Sequence, residues 1–199
     1  MASLKEYHAK RDFSRTTEPI GNGRDAGDSP IFVIQKHDAS SLHYDFRLGV
    51  GGVLKSWVVP KGPSTNPEDK RLALPTEDHP LEYAEFEGII PEGEYGAGHV
   101  LFWDTGHYRN LRAGKQEDSK SMLESIEDGK IEVELEGEKL RGGFALIRTG
   151  DGQEARWLLV KMDDDGADAR RNPTSTRFKS VLSGRTLREI AAEGTDAES

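Results

Sequence analysis

From Leu42 to Leu48 apolar and polar residues alternate strictly. Leu42, Tyr44, Phe46 and Leu48 share one parity; His43, Asp45 and Arg47 share the other. Side chains of a β-strand point alternately to its two faces, so this run is expected to be a strand with a core face and a polar face. Similar texture marks Ile31–Gln35, Val53–Val59, Arg71–Leu74, His99–Asp104, Lys130–Glu136, Leu140–Arg148 and Arg156–Lys161 as strands. Gly49, Gly51 and Gly52 signal a turn between the second and third, and Gly150-Asp-Gly152 one between the last two. One internal helix is expected over Ser119–Asp128, where Met122, Leu123 and Ile126 share a face and Gly129 can end it. A second, near Thr186–Ala192, has Thr186 and Glu189 placed as a capping box. Eight or so short strands at short spacing indicate a barrel or sandwich rather than βαβ units. Residues 1–30 read as an N-terminal arm, 31–162 as the β domain and 163–199 as a polar C-terminal tail with a possible short helix.

Composition narrows the class. A chain of 199 residues with 34% hydrophobic content can bury a core of ordinary size. No apolar run is long enough to span a bilayer, so no membrane association is expected. The absence of cysteine excludes disulfides, thiolate metal sites and a cysteine nucleophile, and it points to the cytoplasm. A net charge of −9 argues against a nonspecific nucleic-acid coat. The charge is uneven, however: residues 1–70 carry 10 basic against 9 acidic side chains, and residues 71–110 carry 2 against 8. A nucleic acid is therefore expected to touch the first third, at an end or a single strand.

The polar parity of Leu42–Leu48 holds the candidate chemistry. His43 and Asp45 are metal-ligand types, and Arg47 follows one strand step on, with about 7 Å between successive members. His37, expected on the loop just upstream, can add a third ligand. Nitrogen and carboxylate ligands together suit manganese, iron or zinc, and the Arg47 fork suits an anion bound to that metal. His79 and Tyr83, four apart in an acidic segment expected to be a loop, could contact a phosphate or donate a proton to a leaving group. Arg71 is a second candidate anion ligand, Lys55 and Lys61 could face the same cleft, and His99 and His107 read as structural. Gly93, Gly96 and Gly98 lack the spacing of a phosphate loop and read as turn residues. Three functions remain open from the chemistry alone: metal-assisted phosphoester cleavage, an Fe(II) oxygenase built on His43-x-Asp45, and a non-catalytic nucleic-acid end-binding module with a structural metal.

Several motifs are similar to the 3′-phosphoesterase module of bacterial ATP-dependent DNA ligase D. They are Gln35-Lys-His37-Asp-Ala-Ser-Ser-Leu-His43-Tyr-Asp45-Phe-Arg47, Leu54-Lys-Ser-Trp-Val-Val-Pro-Lys-Gly62, Glu77-Asp-His79-Pro-Leu-Glu-Tyr83 and Phe86-Glu-Gly-Ile-Ile-Pro-Glu-Gly-Glu-Tyr-Gly-Ala-Gly98. The resemblance covers roughly Arg11 to Lys161, and Ser180–Ile190 is similar to the segment trailing the module. It implies a compact β-barrel with a concave active-site groove. It also implies manganese dependence (Zn2+ or Co2+ being other possibilities) and healing of 3′ ends in nonhomologous end joining. A 3′-terminal ribonucleoside is removed first, then the remaining 3′-phosphate. On this resemblance His37, His43 and Asp45 match the metal ligands, and Arg47, His79 and Tyr83 the phosphate side. Arg71 and Gln35 fall on further positions the family uses, and Arg11, Asp12 and Glu18 match a segment tied to ribonucleoside removal. Implied partners are DNA or RNA–DNA primer-template 3′ ends, with Ku and an ATP-dependent ligase and polymerase acting from outside these residues, in the cytoplasm at the nucleoid.

Overall fold

A computed structural model describes residues 4–21, 30–114, 118–150 and 155–196. Residues 22–29 of the expected arm loop, and most of the expected turn at Gly150–Gly152, lie outside the described residues. Nine strands form: β1 (Ile31–Asp38), β2 (Leu42–Val50), β3 (Val53–Val59), β4 (Lys70–Pro80), β5 (Gly88–Ile90), β6 (Gly98–Asn110), β7 (Lys130–Gly137), β8 (Arg141–Thr149) and β9 (Arg156–Lys161). The order β1-β2-β3-β4-β9-β8-β7-β6 closes on itself because β6 also pairs with β1, giving an eight-stranded antiparallel barrel with β5 added beside β6. Closure removes the free edges that an open sheet would leave. The β2–β3 turn is the two-residue Gly51-Gly52, both at positive φ (59° and 82°), between the paired Val50 and Val53. Its backbone suits the twist of the hairpin it closes.

Each strand sends one parity inward. Phe32, Phe46, Trp57, Leu101, Ile131, Phe144 and Leu159, from seven different strands, are almost wholly inaccessible and join in one core. A second apolar cluster lies on the opposite, outer face of β1, β3 and β6. Val33, Leu54, Val100 and Phe102 there meet Tyr83 and Phe86 and, from the arm, Tyr7. The arm folds back through α1 (Lys5–Ala9) and is held by Tyr7, whose hydroxyl donates to the Pro19 carbonyl at 2.6 Å.

Three short helices complete the described residues. α2 (Met122–Asp128) starts later than the sequence predicts, because Ser121 is the residue that caps it; Ser121 and Glu124 form a capping box and Gly129 ends the helix at φ +80°. Residues 163–196 lie against the barrel, with α3 at Pro173–Thr176 and α4 at Leu187–Asp196. Trp103 Nε1 and Lys139 Nζ both donate to the Arg177 carbonyl (2.7 and 2.9 Å). Further along, Arg185 and Ser183 bond Glu87, the neighbour of Phe86.

β4 departs most from its sequence expectation. Four residues are expected and eleven form, through the segment read as an acidic loop. Pro75 argues against a strand because it lacks an N–H, yet it sits within β4 opposite Trp57. Between Ser56↔Thr76 and Leu54↔His79 the register slips by one residue, a β-bulge. A bulge turns the following side chains over to the other face. Arg71 and Ala73 thus keep the inward parity, while His79 emerges outward.

Candidate active site

Four neighbouring strands contribute outward-facing residues to one place. The β1–β2 register sets His37 opposite His43 and Gln35 opposite Asp45, and the β2–β3 register sets Arg47 opposite Ser56. β4 adds Glu77 from within its bulge and His79 just past it. Tyr83 comes from the 3-10 turn Leu81–Glu85, and Arg11 from the arm. All but Gln35 and Ser56, which stand behind Arg47, line a cavity of about 360 Å³. A larger groove of about 640 Å³, between Lys36, Phe178 and Leu187, gathers no comparable cluster.

His37 lies on β1 itself, not on the expected loop, and is buried. Its Nδ1 is 3.7 Å from Asp45 Oδ2, and His43 Nε2 is 3.9 Å from the same oxygen. All three atoms fall within 4.8 Å of one another. Ligands about 2.1 Å from a shared ion stand roughly 3.0–3.5 Å apart, so small side-chain rotations would close the set. The remaining ring nitrogens are committed: His37 Nε2 donates to the Gly96 carbonyl (2.8 Å) and His43 Nδ1 to the Ser41 carbonyl (2.9 Å). Each bond fixes the tautomer that leaves a lone pair on the inward nitrogen, the usual support of a metal-ligating histidine. Gly96 can offer its carbonyl because the turn takes a φ of +77° there, where a side chain would be strained. Two nitrogens and a carboxylate fit a borderline divalent ion and leave coordination positions open.

Arg47 is held on four sides. Its Nε donates to Gln35 Oε1 (2.8 Å), Nη1 to Ser56 Oγ (2.9 Å), and Nη2 approaches Asp45 Oδ2 at 3.2 Å, while the guanidinium lies 4.9 Å over the Tyr83 ring. Gln35, wholly buried, spends its amide on the Tyr83 and Phe86 carbonyls. Arg11 is equally enclosed: Nε pairs with Glu18 (2.9 Å), Nη1 with Glu77 (3.2 Å), and Nη2 faces His79 Nε2 at 3.4 Å. Tyr83 donates its hydroxyl to Glu18 at 3.0 Å.

The protonation states follow from these neighbours. Burial would raise the Asp45 carboxyl, but Arg47 and the two histidines hold it well below the ordinary range. Burial would also raise Glu77; hydrogen bonds from Thr76 and Lys10 help bring it down to about 2. Burial first, then the charges of Arg47 and Arg11, push His79 well below its usual value. His79 is therefore neutral. Its Nδ1 donates to the Glu77 carbonyl (2.9 Å), so Nε2 carries the lone pair. In this state His79 accepts a proton and cannot give one, whereas its position in sequence had left room for a donor. Burial and Glu18 push the Tyr83 hydroxyl far up, so it stays a phenol.

Two expected residues stand apart. Arg71, on the inward parity of β4, pairs with Asp69 (2.9 Å) and does not line the cavity. Asp12 is exposed and closes its own turn by accepting from Ser14 N and Oγ. Lys55 pairs with Asp78 at the bulge, and His107 is exposed elsewhere. The sequence reading missed Ser56, Glu77, Lys10 and Tyr95. Glu77 reads as one carboxylate among many, and only the bulge brings it to the outer face beside Arg11. Ser56 had a usable signal, a small hydroxyl at an outward position of a strand adjoining Arg47.

An antiparallel barrel with a two-histidine, one-carboxylate cluster beside two buried guanidiniums on its outer face defines a class: a barrel whose outer face could hold a metal ion next to an anion. Comparison with known proteins makes the class specific. A model of the DNA Ligase D 3′-phosphoesterase domain matches residues 35–148, and the chain belongs to that family. It is 49% identical over 189 residues to the multifunctional non-homologous end joining protein LigD of Pseudomonas aeruginosa, covering 92% of this chain and 22% of that protein. With the LigD repair protein of Mycobacterium tuberculosis it shares 48% over 161 residues, covering 80% of this chain and 20% of the relative. The chain thus spans about a fifth of the length of the curated relatives it matches.

Proposed function

We propose that the chain is a manganese-dependent phosphoesterase that heals 3′ ends of DNA. It removes a 3′-terminal ribonucleoside by diester cleavage, then the 3′-phosphate, leaving a 3′-hydroxyl for end joining. The observation that carries this reading is the shared oxygen of Asp45, which faces His37, His43 and Arg47 at 3.2–3.9 Å. A divalent metal held by His37 Nδ1, His43 Nε2 and Asp45 supplies Lewis-acid polarisation of a phosphoryl oxygen and activation of water; manganese, zinc and cobalt all suit this donor set.

The chain's own residues do the rest. Arg47, immobilised by Gln35 and Ser56, neutralises charge building on the nonbridging oxygens without having to reorganise. Arg11 supplies a second guanidinium. His79 Nε2 takes a proton at the cavity wall and can return it to the leaving oxygen, which is the 5′ oxygen of the departing ribonucleoside in the diester step and the 3′ oxygen of the primer in the monoester step. Tyr83 and Glu18 fix the faces of both arginines. The charge balance supports the same reading. Lys10, Arg11 and Arg47 offset Glu18, Asp45 and Glu77, so the cavity plus a divalent ion carries two positive charges, matching a phosphomonoester dianion. Two buried guanidiniums beside the cluster favour a phosphate over dioxygen as the occupant.

The substrates in this proposal are the 3′ ends of DNA or RNA–DNA primer-templates, with Ku and an ATP-dependent ligase and polymerase as partners, in the cytoplasm at the nucleoid. No helix among the described residues is long and apolar enough to cross a membrane. The test is a 5′-labelled primer–template ending in one 3′-ribonucleotide, with manganese added or withheld, resolved on a denaturing gel. Stepwise conversion to the 3′-phosphate and then the 3′-hydroxyl is expected. DNA binding that is indifferent to metal and yields no product would instead favour an end-binding module.

A further inference from the structure

Tyr95 belongs to no step assigned above, yet it is a large aromatic side chain, 48% exposed, lining the candidate cavity. Of the large hydrophobic side chains exposed among the described residues, it alone lines that cavity. It stands between Glu94 and Gly96 in a turn with little freedom. Glu94 N donates to Pro91 O (3.2 Å), Ala97 N to Glu94 O (3.1 Å), and the Glu94 carboxylate pairs with Arg15 (3.0 Å). The next carbonyl, that of Gly96, is the one that orients His37. Lys10 Nζ lies 4.8 Å and the Arg11 guanidinium 5.6 Å from the Tyr95 ring centre. An exposed aromatic, preset on a stiff turn with cations beside it, is the pattern of a platform on which a nucleobase stacks.

We infer that Tyr95 receives, by stacking, the base of the nucleoside whose 3′ oxygen carries the reacting phosphate. The inference rests on the phosphoesterase reading. Diester and monoester substrates must present the same phosphate to the same arginines, and that nucleoside is the group they have in common. Stacking accepts every base, since each has a π-face, so the site should be tolerant of terminal sequence.

The test compares wild type with Tyr95→Ala, Tyr95→Phe and Tyr95→Trp on a 3′-phosphorylated primer–template, with and without a base on the terminal sugar, and on the same primer ending in a 3′-ribonucleoside. On the intact primer Tyr95→Ala should raise KM, and the dissociation constant measured by fluorescence anisotropy, about 10- to 100-fold. The fall in kcat should be much smaller, and Tyr95→Phe and Tyr95→Trp should restore binding. On the abasic primer wild type and Tyr95→Ala should bind alike. Three results would overturn the inference: an equal loss on both primers, no loss on either, or a loss confined to the ribonucleoside-ended diester. Binding of Mn2+ alone, followed by calorimetry, should be the same in all four proteins; a change would mean that the turn, and with it His37, had moved. If wild type releases no phosphate with any divalent metal, the phosphoesterase reading fails. The anisotropy comparison still decides whether Tyr95 holds a base.

Discussion

The two faces of β2 are buried almost equally and by opposite means. Inward, Tyr44, Phe46 and Leu48 fill the barrel with apolar surface, an attraction without direction that many side-chain combinations can satisfy. Outward, Asp45 and Arg47 are just as hidden, but each charge keeps its place through named partners: His37, His43, Gln35, Ser56 and Tyr83. Water cannot compensate there if one partner is lost, and an unpaired buried charge is costly. The inner face makes the barrel; the outer face holds a constellation that a single deletion dismantles.

Substitutions should separate the two faces cleanly. Asp45→Asn removes the charge facing both histidines and Arg47. Phosphate release should fall about 10³-fold or more, with Mn2+ binding lost in calorimetry and the circular dichroism spectrum unchanged. Wild-type turnover in that variant would reduce the outer face to a packed polar layer. Phe46→Ala, one residue along and facing inward, should lower unfolding free energy by about 3–5 kcal/mol in urea melts, through the cavity it leaves. Activity per folded molecule should largely survive.

A third test uses acid. The folded pKa of Glu77, about 2, lies below its ordinary 4.5, so its contribution is complete above about pH 4.5 and fades as pH falls toward 2. That contribution is up to about 3 kcal/mol. Subtracting the urea-midpoint profile of Glu77→Gln from that of wild type should reveal this fade; a flat difference would mean that Thr76 and Lys10 do not hold Glu77 ionised. The smallest effect belongs to neither face. Ser121→Ala should cost about 1 kcal/mol through the α2 cap and leave phosphate release untouched.

Much of the frame was legible because period-2 alternation and glycine turns are local signals. The strand cores of β1, β2, β3, β7, β8 and β9, the Gly51-Gly52 hairpin and the Thr186–Glu189 capping box lie where the sequence places them. The second half of β4 and all of β5 were not legible: Pro75 and the run of carboxylates mimic a loop, and a three-residue strand is too short for a pattern. Reading the 75–83 segment as loop also hid the means by which His79 reaches the cavity.

The sequence by itself determined which parity of β2 carries ligand and anion-binding side chains, and that the strands would be numerous and form a barrel or sandwich rather than βαβ units, because alternation and turn chemistry act between near neighbours. Tertiary structure alone decided the rest. Strand register put His37 across from His43, the β4 bulge turned His79 outward while leaving Arg71 on the inner parity, and the folded arm delivered Arg11 to His79 and Tyr83. The last two choices depend on contacts between residues about 20 to 70 positions apart, beyond the reach of a local pattern, and the closed barrel admits one register at a time.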